Sequence, residues 1–374
     1  MSVQPREVVA HLARCHHGSL DYGELGGLGL SPEGVVDFSV NTNPLGPSPS
    51  VSAAMAKVPI GRYPDDEAMH LRRALACHHG VGLENIIVGN GSVELIRLAA
   101  LAYVEPGEAV VVLNPTFGEY EVAGRIMGGN VVEERSRAQD DFRPDVEAAL
   151  VAARLNRAKL VFLCNPNNPT GTYQPKEEVE VLAYGARRSL VVVDEAYVNF
   201  VANPWPSENL IRSDNVLLLR SMTKDYALTG LRIGYGIADA GVIDALKKVR
   251  PPWSVNSVAQ AAALVSLQDT EHLARSLAEI EKGKRYLLQE LPRLGLQVLP
   301  SQANFLLMRV GNARGFRLAL LRKGFCVRDC TSFGLPEHVR LGVRTLPECR
   351  RLVAAVMQVQ AAGEEQTVRE EQTD

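Results

Sequence analysis

The chain has 374 residues, 46% of them hydrophobic, which is enough for a large buried core and favours two lobes over one. The 40 basic and 43 acidic residues nearly cancel, which argues against nucleic acid or an anionic membrane surface as a partner. The sequence shows no apolar run near the roughly 20 residues of a membrane span and no signal-peptide pattern at its start. Its six cysteines are scattered, which indicates reduced thiols and no metal site. We therefore expect a cytoplasmic enzyme.

Five short runs rich in Val, Ile and Leu alternate with helix-like stretches, such as Val93 to Tyr103 and Glu177 to Arg188. Buried strands that alternate with helices predict an α/β fold with a mainly parallel sheet and right-handed crossovers. The five runs are Ile86 to Val88, Val110 to Leu113, Leu160 to Cys164, Leu190 to Val193 and Val216 to Leu219. In such sheets, functional groups gather beyond the carboxyl ends of the strands.

A long helical pattern from Thr270 to about Leu291 predicts a connection to a second, smaller domain. We expect a large domain over residues 41–265. Residues 266–362 and residues 1–40 would form the small domain, and the N-terminal segment would close over the site. Residues 363–374 are polar and acidic and are expected to be a disordered tail.

Two loops that follow predicted strands carry patterns suited to a bound ligand. The string GNGS at residues 89–92 precedes a predicted helix, whose first N–H groups and dipole favour a phosphate. The same string also fits an ordinary turn capped by Ser92. Residues 165–171 (NPNNPTG) contain two prolines and a glycine that fix a rigid turn. That turn can hold the Asn168 amide toward a phenolate-like oxygen, or it can be a simple turn.

The segment SMTK at residues 221–224 supplies a hydroxyl and an amine, and Arg232 follows Lys224 by eight residues. Asp194 ends an apolar run, where a carboxylate needs a partner. A lysine that forms an imine and an aspartate facing the pyridine nitrogen are what proteins contribute to pyridoxal phosphate (PLP) chemistry. Ser221 and Arg232 would suit the cofactor phosphate. Taken singly, Lys224 could be a surface lysine and Asp194 a helix cap.

Two tyrosines and two arginines are further candidates. Tyr120 could stack on a pyridine ring or pack in the core. Tyr63 precedes a proline and is therefore expected to be extended and displayed, with or without a ligand. Arg328 and Arg344 each follow a short apolar run and could grip carboxylate or phosphate, or form surface salt bridges.

With these residues in view, the chain from about residue 15 to residue 360 resembles the fold-type I PLP-dependent enzymes of the class I/II aminotransferase group. The likeness is carried by NPNNPTG at 165–171, DEAY at 194–197, and the stretch from Lys224 through RIGY at 232–235. The resemblance implies a large domain with a mainly parallel seven-stranded sheet plus a smaller α/β domain. It also implies a homodimer and a phosphorylated amino-acid-like substrate.

The resemblance also implies residue roles. Lys224 would be the catalytic, imine-forming residue, and Asp194 would face the ring nitrogen. The remaining cofactor contacts would be Asn168 and Tyr197 at the ring hydroxyl, Tyr120 on the ring face, Ser92, Val93, Ser221, Thr223 and Arg232 around the phosphate, and Tyr63 from the neighbouring subunit. The substrate would be held by His17, Gly18, Asn41, Asn168, Arg328 and Arg344. Which arginine meets phosphate and which meets carboxylate stays open.

Within the group, the chain is most similar to L-threonine-O-3-phosphate decarboxylases of cobalamin synthesis and next to histidinol-phosphate aminotransferases. HGS at 17–19, DFSVNTNPLG at 37–46 and WSVN at 253–256 carry the first likeness, although Ser19 replaces a glycine usual in the decarboxylases. Thr42 stands where the aminotransferases more often have glutamate.

The resemblance therefore implies decarboxylation of L-threonine O-3-phosphate to (R)-1-amino-2-propanol phosphate and carbon dioxide. The alternative is an aminotransferase acting on histidinol phosphate or a related amino acid with 2-oxoglutarate. The bond held perpendicular to the cofactor ring decides between the two reactions. A PLP-fold binding protein without turnover is a third possibility, and the complete set of Lys224, Asp194 and Arg232 argues against it.

Overall fold

The computed structural model describes residues 3–371, with side chains described through residue 362. The strands are β1 (Val36–Asp37), β2 (Ile86–Gly89), β3 (Ala109–Asn114), β4 (Asn130–Arg135), β5 (Leu160–Cys164), β6 (Leu190–Asp194), β7 (Val216–Ser221), β8 (Gly234–Ala238), β9 (Gln297–Val298), β10 (Phe305–Arg309), β11 (Phe325–Cys326), β12 (Arg328–Asp329) and β13 (His338–Gly342). The helices are α1 (Glu7–Ala10), α2 (Tyr22–Gly27), α3 (Pro49–Met55), α4 (Met69–His79), α5 (Ser92–Tyr103), α6 (Glu119–Ile126), α7 (Val146–Leu155), α8 (Lys176–Gly185), α9 (Ala240–Val249), α10 (Ser257–Gln268), α11 (Thr270–Arg293), α12 (Ala313–Leu321) and α13 (Leu346–Glu371).

Seven strands form the large sheet, in the order β2-β8-β7-β6-β5-β3-β4. β8 runs antiparallel to both of its neighbours, and every other neighbouring pair is parallel. The predicted α/β fold with a mainly parallel seven-stranded sheet is therefore confirmed. Because the parallel strands point the same way, the loops that follow them meet at one edge.

Both faces of the large sheet are covered by helices. Along β3, Val111 and Leu113 pack into one buried cluster with residues of α4, α7, α8 and α10, whereas Val110 and Val112 pack into another with α5, α6 and α9. Every residue of β5 and β6 is buried, so these strands show continuous apolar runs instead of alternation. This packing fixes the strand ends that position the site.

A second group of elements is built on the antiparallel sheet β12-β13-β10-β9. The N-terminal segment joins it, because β1 pairs in parallel with β11, with Val36 opposite Phe325. Phe38 is buried among residues of α11, α12 and α13. The exact residues at which the two predicted domains divide stay a prediction.

Helix α13 is assigned to Glu371, but the side chains after residue 362 and residues 372–374 lie outside the described part of the chain. The prediction of a disordered tail over 363–374 therefore stays untested. Among the described residues, the structure has no helix with both the length and the apolar character that a bilayer crossing requires.

Candidate active site

Residues that follow β2, β3, β5, β6 and β7 surround two adjoining cavities at one edge of the large sheet. We call the cavity lined by Asp194 and Ser221 the inner cavity; its volume is about 90 Å³. The outer cavity, lined by His17 and Arg328, has a volume of about 310 Å³. Lys224 lines both cavities, so its amine lies where a ligand in either one can reach it.

Lys224 lies in the loop after β7, and its backbone carbonyl accepts a hydrogen bond of 2.9 Å from the Asn43 N–H. Burial, reinforced by the positive charges of Arg340 and Arg232, lowers the pKa of Lys224 to about 8. A much larger share of this amine is therefore neutral near physiological pH than for an exposed lysine. A neutral amine is what attack on an aldehyde requires.

Asp194, the last residue of β6, is only 3% exposed and has two donors. The Tyr120 hydroxyl donates to Oδ2 over 2.8 Å, and the Ala196 backbone N–H donates to Oδ1 over 3.0 Å. Burial nevertheless raises the pKa of Asp194, because neither donor carries a charge. A cationic partner in the inner cavity would stabilise this carboxylate.

The aromatic residues of the α6 region are arranged differently from the sequence-based expectation. The Tyr120 ring is fully buried and stacks on Phe162, with centroids 4.9 Å apart and an interplanar angle of 8°. Phe117 meets Tyr120 edge-on at 5.6 Å and lines both cavities. Of these two rings, Phe117 therefore lines both the inner and the outer cavity, whereas the Tyr120 hydroxyl donates a hydrogen bond to Asp194.

An anion cradle lies at the first turn of α5, which Ser92 and Val93 begin. Gly91 has φ of 75°, a left-handed conformation that costs glycine little. A Cβ at Gly91 would lie 2.9 Å from Arg232 Nη2, so a larger residue would displace the guanidinium. The Ser221 and Thr223 hydroxyls, 2.8 Å apart, also belong to the inner-cavity wall. A helix N-terminus, a guanidinium and two hydroxyls together suit a phosphate.

Two buried side chains in the wall of the outer cavity, Arg340 and Asn41, each have an atom without a hydrogen-bond partner among the described residues. Arg340 donates through Nη1 to Asn168 Oδ1 and through Nη2 to the Ser39 carbonyl, each over 2.6 Å, but its Nε has no partner in the structure. Asn41 donates to the Tyr197 hydroxyl over 3.2 Å, whereas its Oδ1 has no partner. Buried unpaired groups are costly, so a ligand that pairs them would gain binding energy.

The N-terminal segment carries His17 and Gly18 to the outer cavity. His17 Nε2 lies 3.0 Å from Glu119 Oε1, and Arg97 pairs with the other oxygen of Glu119. Hydrogen bonds with Cys15 and Glu119 raise the pKa of His17 to about 9. A Cβ at Gly18 would lie 2.2 Å from the Ser39 carbonyl oxygen, so glycine permits this close crossing of two segments.

The two candidate arginines of the C-terminal part take different positions. Arg328 lines the outer cavity and donates through Nη2 to the His16 carbonyl over 2.8 Å and to Ser332 Oγ over 2.6 Å. Arg344 lines neither cavity, because it lies beyond β13 and pairs with Glu348, 3.0 Å away in the first turn of α13. Arg340, and not Arg344, therefore lines the outer cavity, and the part that either arginine plays in substrate binding stays a prediction.

Tyr63 does not reach either cavity of its own chain. Its side chain is 78% exposed and stacks on Trp253, with ring centroids 4.4 Å apart. The sequence correctly indicated a displayed tyrosine, and its contact with a neighbouring subunit stays a prediction.

Sequence reasoning missed Phe117, Glu119 and Arg340 as site-lining or site-supporting residues. Arg340 lies inside the short apolar strand β13, where a buried guanidinium needs partners. That anomaly was visible in the string HVRLG at residues 338–342 and could have marked the residue.

A family model for aminotransferase class I and II matches residues 33–356. A histidinol-phosphate aminotransferase of Symbiobacterium thermophilum is 41% identical over 327 residues, covering 86% of this chain and 90% of the relative. One from Moorella thermoacetica is 38% identical over 340 residues, covering 89% and 87%. The crystal structure of histidinol-phosphate aminotransferase from Sinorhizobium meliloti in complex with pyridoxal-5'-phosphate has a TM-score of 0.88 and 28% identity, covering 97% of this chain and 99% of that one.

The chain therefore belongs to the class I and II aminotransferase family. Its fold is that of the fold-type I PLP-dependent enzymes, and PLP is its cofactor, as the resemblance implied. The buried amine, the buried carboxylate and the anion cradle of this structure fit that cofactor.

The prediction of threonine-phosphate decarboxylation is wrong. Relatives with 37–41% identity across most of the chain are named histidinol-phosphate aminotransferases. The likeness to the decarboxylases rests on three short strings, at residues 17–19, 37–46 and 253–256, whereas the similarity to the aminotransferases covers most of the chain. The predicted carboxy-lyase activity and the predicted role in cobalamin synthesis are therefore not supported either.

Proposed function

We propose that this chain is a PLP-dependent aminotransferase that moves an amino group from histidinol phosphate, or a related amino acid, to 2-oxoglutarate. The observation that carries the proposal is the similarity over most of the chain to relatives named for the first donor. The outer cavity supports it, because it joins Lys224 to two arginines, Arg328 and Arg340, in a space of about 310 Å³.

The chain's own residues would hold the cofactor from four sides. Lys224 Nζ would bond its aldehyde carbon, and Asp194 would keep a proton on its ring nitrogen. Arg232, Ser221 and the first N–H groups of α5 would hold its phosphate. The bound cofactor supplies a ring that draws electrons from the bonds of the substrate carbon bearing the amino group.

We assign the cofactor's ring face to Phe117, in place of Tyr120. Phe117 lines both cavities, whereas the Tyr120 ring is already packed on Phe162. Tyr120 then acts through its hydroxyl, which orients Asp194. Asn168 and Tyr197 line the inner cavity between these groups and would meet the cofactor's ring oxygen.

Proton transfer falls to Lys224 in this proposal. Its amine, with a pKa lowered to about 8 by burial, is neutral in a larger share of molecules near neutral pH than an exposed lysine and can act as a base there. It would take the proton from the substrate carbon and return one to the cofactor side. The same residue would reverse these transfers when the keto acid arrives.

The amino donor and the keto-acid acceptor both carry anionic groups, and in this proposal they bind the outer cavity one after the other. Histidinol phosphate brings a phosphate, and 2-oxoglutarate brings two carboxylates. Arg328 and Arg340 line that cavity, and a guanidinium binds either group through paired hydrogen bonds. His17, whose pKa is raised to about 9 by hydrogen bonds with Cys15 and Glu119, lines the same cavity. A shared cationic wall therefore serves both half-reactions.

We also propose a homodimer. Tyr63 and Trp253 form an exposed stacked pair, and Ile60 nearby in the sequence is 87% exposed. Apolar side chains grouped on a surface favour a protein partner. A second copy of the chain would cover this patch and bring its own Tyr63 toward the cofactor phosphate.

The donor can be tested by one half-reaction. Histidinol phosphate added alone to the PLP-loaded enzyme should convert the cofactor from its aldehyde to its amine form, observed by absorbance, with one keto product per chain. Addition of 2-oxoglutarate should restore the first spectrum. Conversion by another amino acid but not by histidinol phosphate would reassign the donor, and no conversion by any amino acid would contradict an aminotransferase.

A further inference from the structure

Three side chains with metal-binding atoms meet at the mouth of the outer cavity. Cys15 and His17 come from the N-terminal segment, and Glu119 is the first residue of α6. One ligand atom from each lies within 4.8 Å of the other two. The closest pair is His17 Nε2 and Glu119 Oε1, at 3.0 Å. The cluster could not be predicted from sequence spacing, because Glu119 is remote from the other two residues along the chain.

Gly118, beside this cluster, packs closely against the Cys15 sulfur. A Cβ at Gly118 would lie 2.9 Å from Cys15 Sγ, which is closer than side-chain carbons approach other atoms. Gly118 has φ of −62°, so the backbone there does not itself require glycine. The absent side chain instead leaves room for Cys15 against the start of α6.

We propose that Cys15, His17 and Glu119 form a zinc-binding site at the entrance to the outer cavity. A thiolate, an imidazole and a carboxylate are all zinc ligands, and a set of three leaves one position for water or a substrate atom. Cys15 and His17 both line the outer cavity, so the fourth position would open toward it.

The geometry needs only a small adjustment. Zinc bonds of about 2.0–2.3 Å place tetrahedral ligands roughly 3.3–3.8 Å apart. The widest separation, up to 4.8 Å, therefore has to shorten by about 1 Å, and the His17–Glu119 pair, now at 3.0 Å, has to open by about 0.3 Å. Cys15 is half-buried in a segment without helix or strand, so a side-chain rotation there meets little resistance.

The charges around the cluster are also compatible with zinc. Arg97 pairs with Oε2 of Glu119 and leaves Oε1 for the metal. Arg328 is held by the His16 carbonyl and Ser332. On binding, Cys15 gives up its thiol proton to solvent and His17 gives up the proton on its coordinating nitrogen. The thiolate and carboxylate then balance the two charges of the ion.

Zinc in this position would compete with substrate. His17 is one of the proposed substrate contacts, and coordination would hold the N-terminal segment against α6. The expected result is inhibition that a chelator reverses. The binding prediction goes beyond the aminotransferase proposal and does not depend on it.

The first experiment measures zinc binding to the PLP-loaded protein in competition with a chromophoric chelator. Wild-type protein should bind one equivalent per chain at this site. Cys15→Ser should bind zinc at least about tenfold more weakly. Substitution of residues that only hydrogen-bond to a metal ligand already lowers metal affinity by about 10- to 100-fold, and loss of a ligand should cost no less. Cys77→Ser, which changes an exposed cysteine on α4, is the matched control and should bind as wild type does. Equal affinity in the wild type and Cys15→Ser would overturn the site.

A second variant keeps all three ligands. Gly118→Ala would place a methyl group 2.9 Å from Cys15 Sγ, which forces the sulfur to move, and should also weaken binding. Cobalt(II) provides an independent reading, because a four-coordinate thiolate site gives intense visible bands beyond the cofactor's absorption. Those bands should be absent in Cys15→Ala. Unaltered zinc affinity in Gly118→Ala together with a six-coordinate cobalt spectrum would contradict the proposal, provided that both variants unfold at the wild-type temperature.

The last experiment measures the turnover of each protein in the presence and in the absence of zinc. Zinc should inhibit the wild type and Cys77→Ser and should leave Cys15→Ser largely unaffected. If no turnover is found with histidinol phosphate, the proposed donor fails while the chelator and cobalt measurements still decide the metal site. Inhibition of equal strength in all three proteins would place the inhibitory zinc elsewhere.

Discussion

Lys224 differs from a surface lysine because its amine lies between two cavities and near two guanidinium groups. Its pKa falls from the ordinary 10.5 to about 8. The rate at which cofactor-free enzyme takes up PLP covalently should therefore rise with pH and level off above about 8, because only the neutral amine attacks the aldehyde. Stopped-flow absorbance across pH 6–10 measures this. A midpoint near 10.5 would show that the amine is not desolvated.

Lys224→Ala is the reference for that measurement. It should fold and retain some cofactor through Arg232 and Ser221, but it should form no covalent adduct and show no turnover. Residual turnover near the wild-type level would remove Lys224 from its proposed role.

Variants of Asp194 and Tyr120 separate two contributions to keeping the ring nitrogen protonated: the charge of the Asp194 carboxylate and its hydrogen bond with Tyr120. Asp194→Asn keeps the shape of the side chain but cannot stabilise a protonated nitrogen, so we expect turnover to fall by about 10²- to 10³-fold. Tyr120→Phe removes the hydrogen bond of 2.8 Å from a neutral hydroxyl to the Asp194 carboxylate. A hydrogen bond to a charged group contributes roughly 1.5–3 kcal/mol, but only the part that changes during the reaction affects the rate, so the rate should fall by about tenfold, less than in Asp194→Asn. Similar losses in both variants would show that Tyr120 does more than orient the acid.

Strand β13 positions Arg340, and not Arg344, in the wall of the outer cavity. Arg340 lies within the strand and is 5% exposed, whereas Arg344 lies beyond it beside Glu348. Arg340→Lys should raise KM for the phosphorylated substrate by about 10- to 100-fold, consistent with roughly 1.5–3 kcal/mol for a charged hydrogen bond. Arg344→Lys, the matched control, should leave KM unchanged and shift stability by about 1 kcal/mol at most. Steady-state kinetics with both variants distinguishes the two positions, and the reverse order of effects would restore Arg344.

The sequence predicted the fully buried strands of the large sheet. It did not predict strands that form because neighbouring strands pair with them. All five apolar runs became strands of the large sheet. β4 (Asn130–Arg135) was missed because it is a partly exposed edge strand with charged residues. β8 (Gly234–Ala238) was missed because two of its five residues are glycines, which have low strand propensity. Its place between β2 and β7 comes from long-range pairing.

The candidate site follows the same division. Asp194, Asn168 and Lys224 could be found because each lies within a few residues of the end of a predicted strand, and strand ends meet at one edge. Arg340 and Glu119 could not be placed in this way, because their contacts join remote parts of the chain. Tyr120 was identified as an important residue, but its orientation depends on Phe162 from another strand.

At the scale of the whole molecule, the proposed dimer predicts complementation between two inactive proteins. Lys224→Ala lacks the essential amine, and Tyr63→Ala should bind the cofactor weakly if Tyr63 acts in the neighbouring subunit. Mixed dimers would contain one site with both residues intact. Refolding the two variants together should therefore recover up to about a quarter of wild-type activity, since half of the dimers would be mixed and each would hold one intact site.

The same variants refolded separately and then combined are the control and should stay inactive while subunits do not exchange. No recovery in co-refolded dimers, confirmed as dimers by sedimentation, would place Tyr63 outside the partner's site.

The anion cradle also links cofactor capture to the last stages of chain folding. A Cβ on Gly234 would lie 2.7 Å from the Ser92 nitrogen, so the start of α5 and the segment from Arg232 to β8 are in close contact despite their distance in sequence. Because both segments contribute to the phosphate site, PLP should bind the folded chain and not the unfolded one. Saturation at 100 times Kd would then add about 2.7 kcal/mol to the unfolding free energy, so the melting temperature should rise with PLP concentration. Protein without the coenzyme should accordingly be cleaved more readily by proteases that act on unfolded chains.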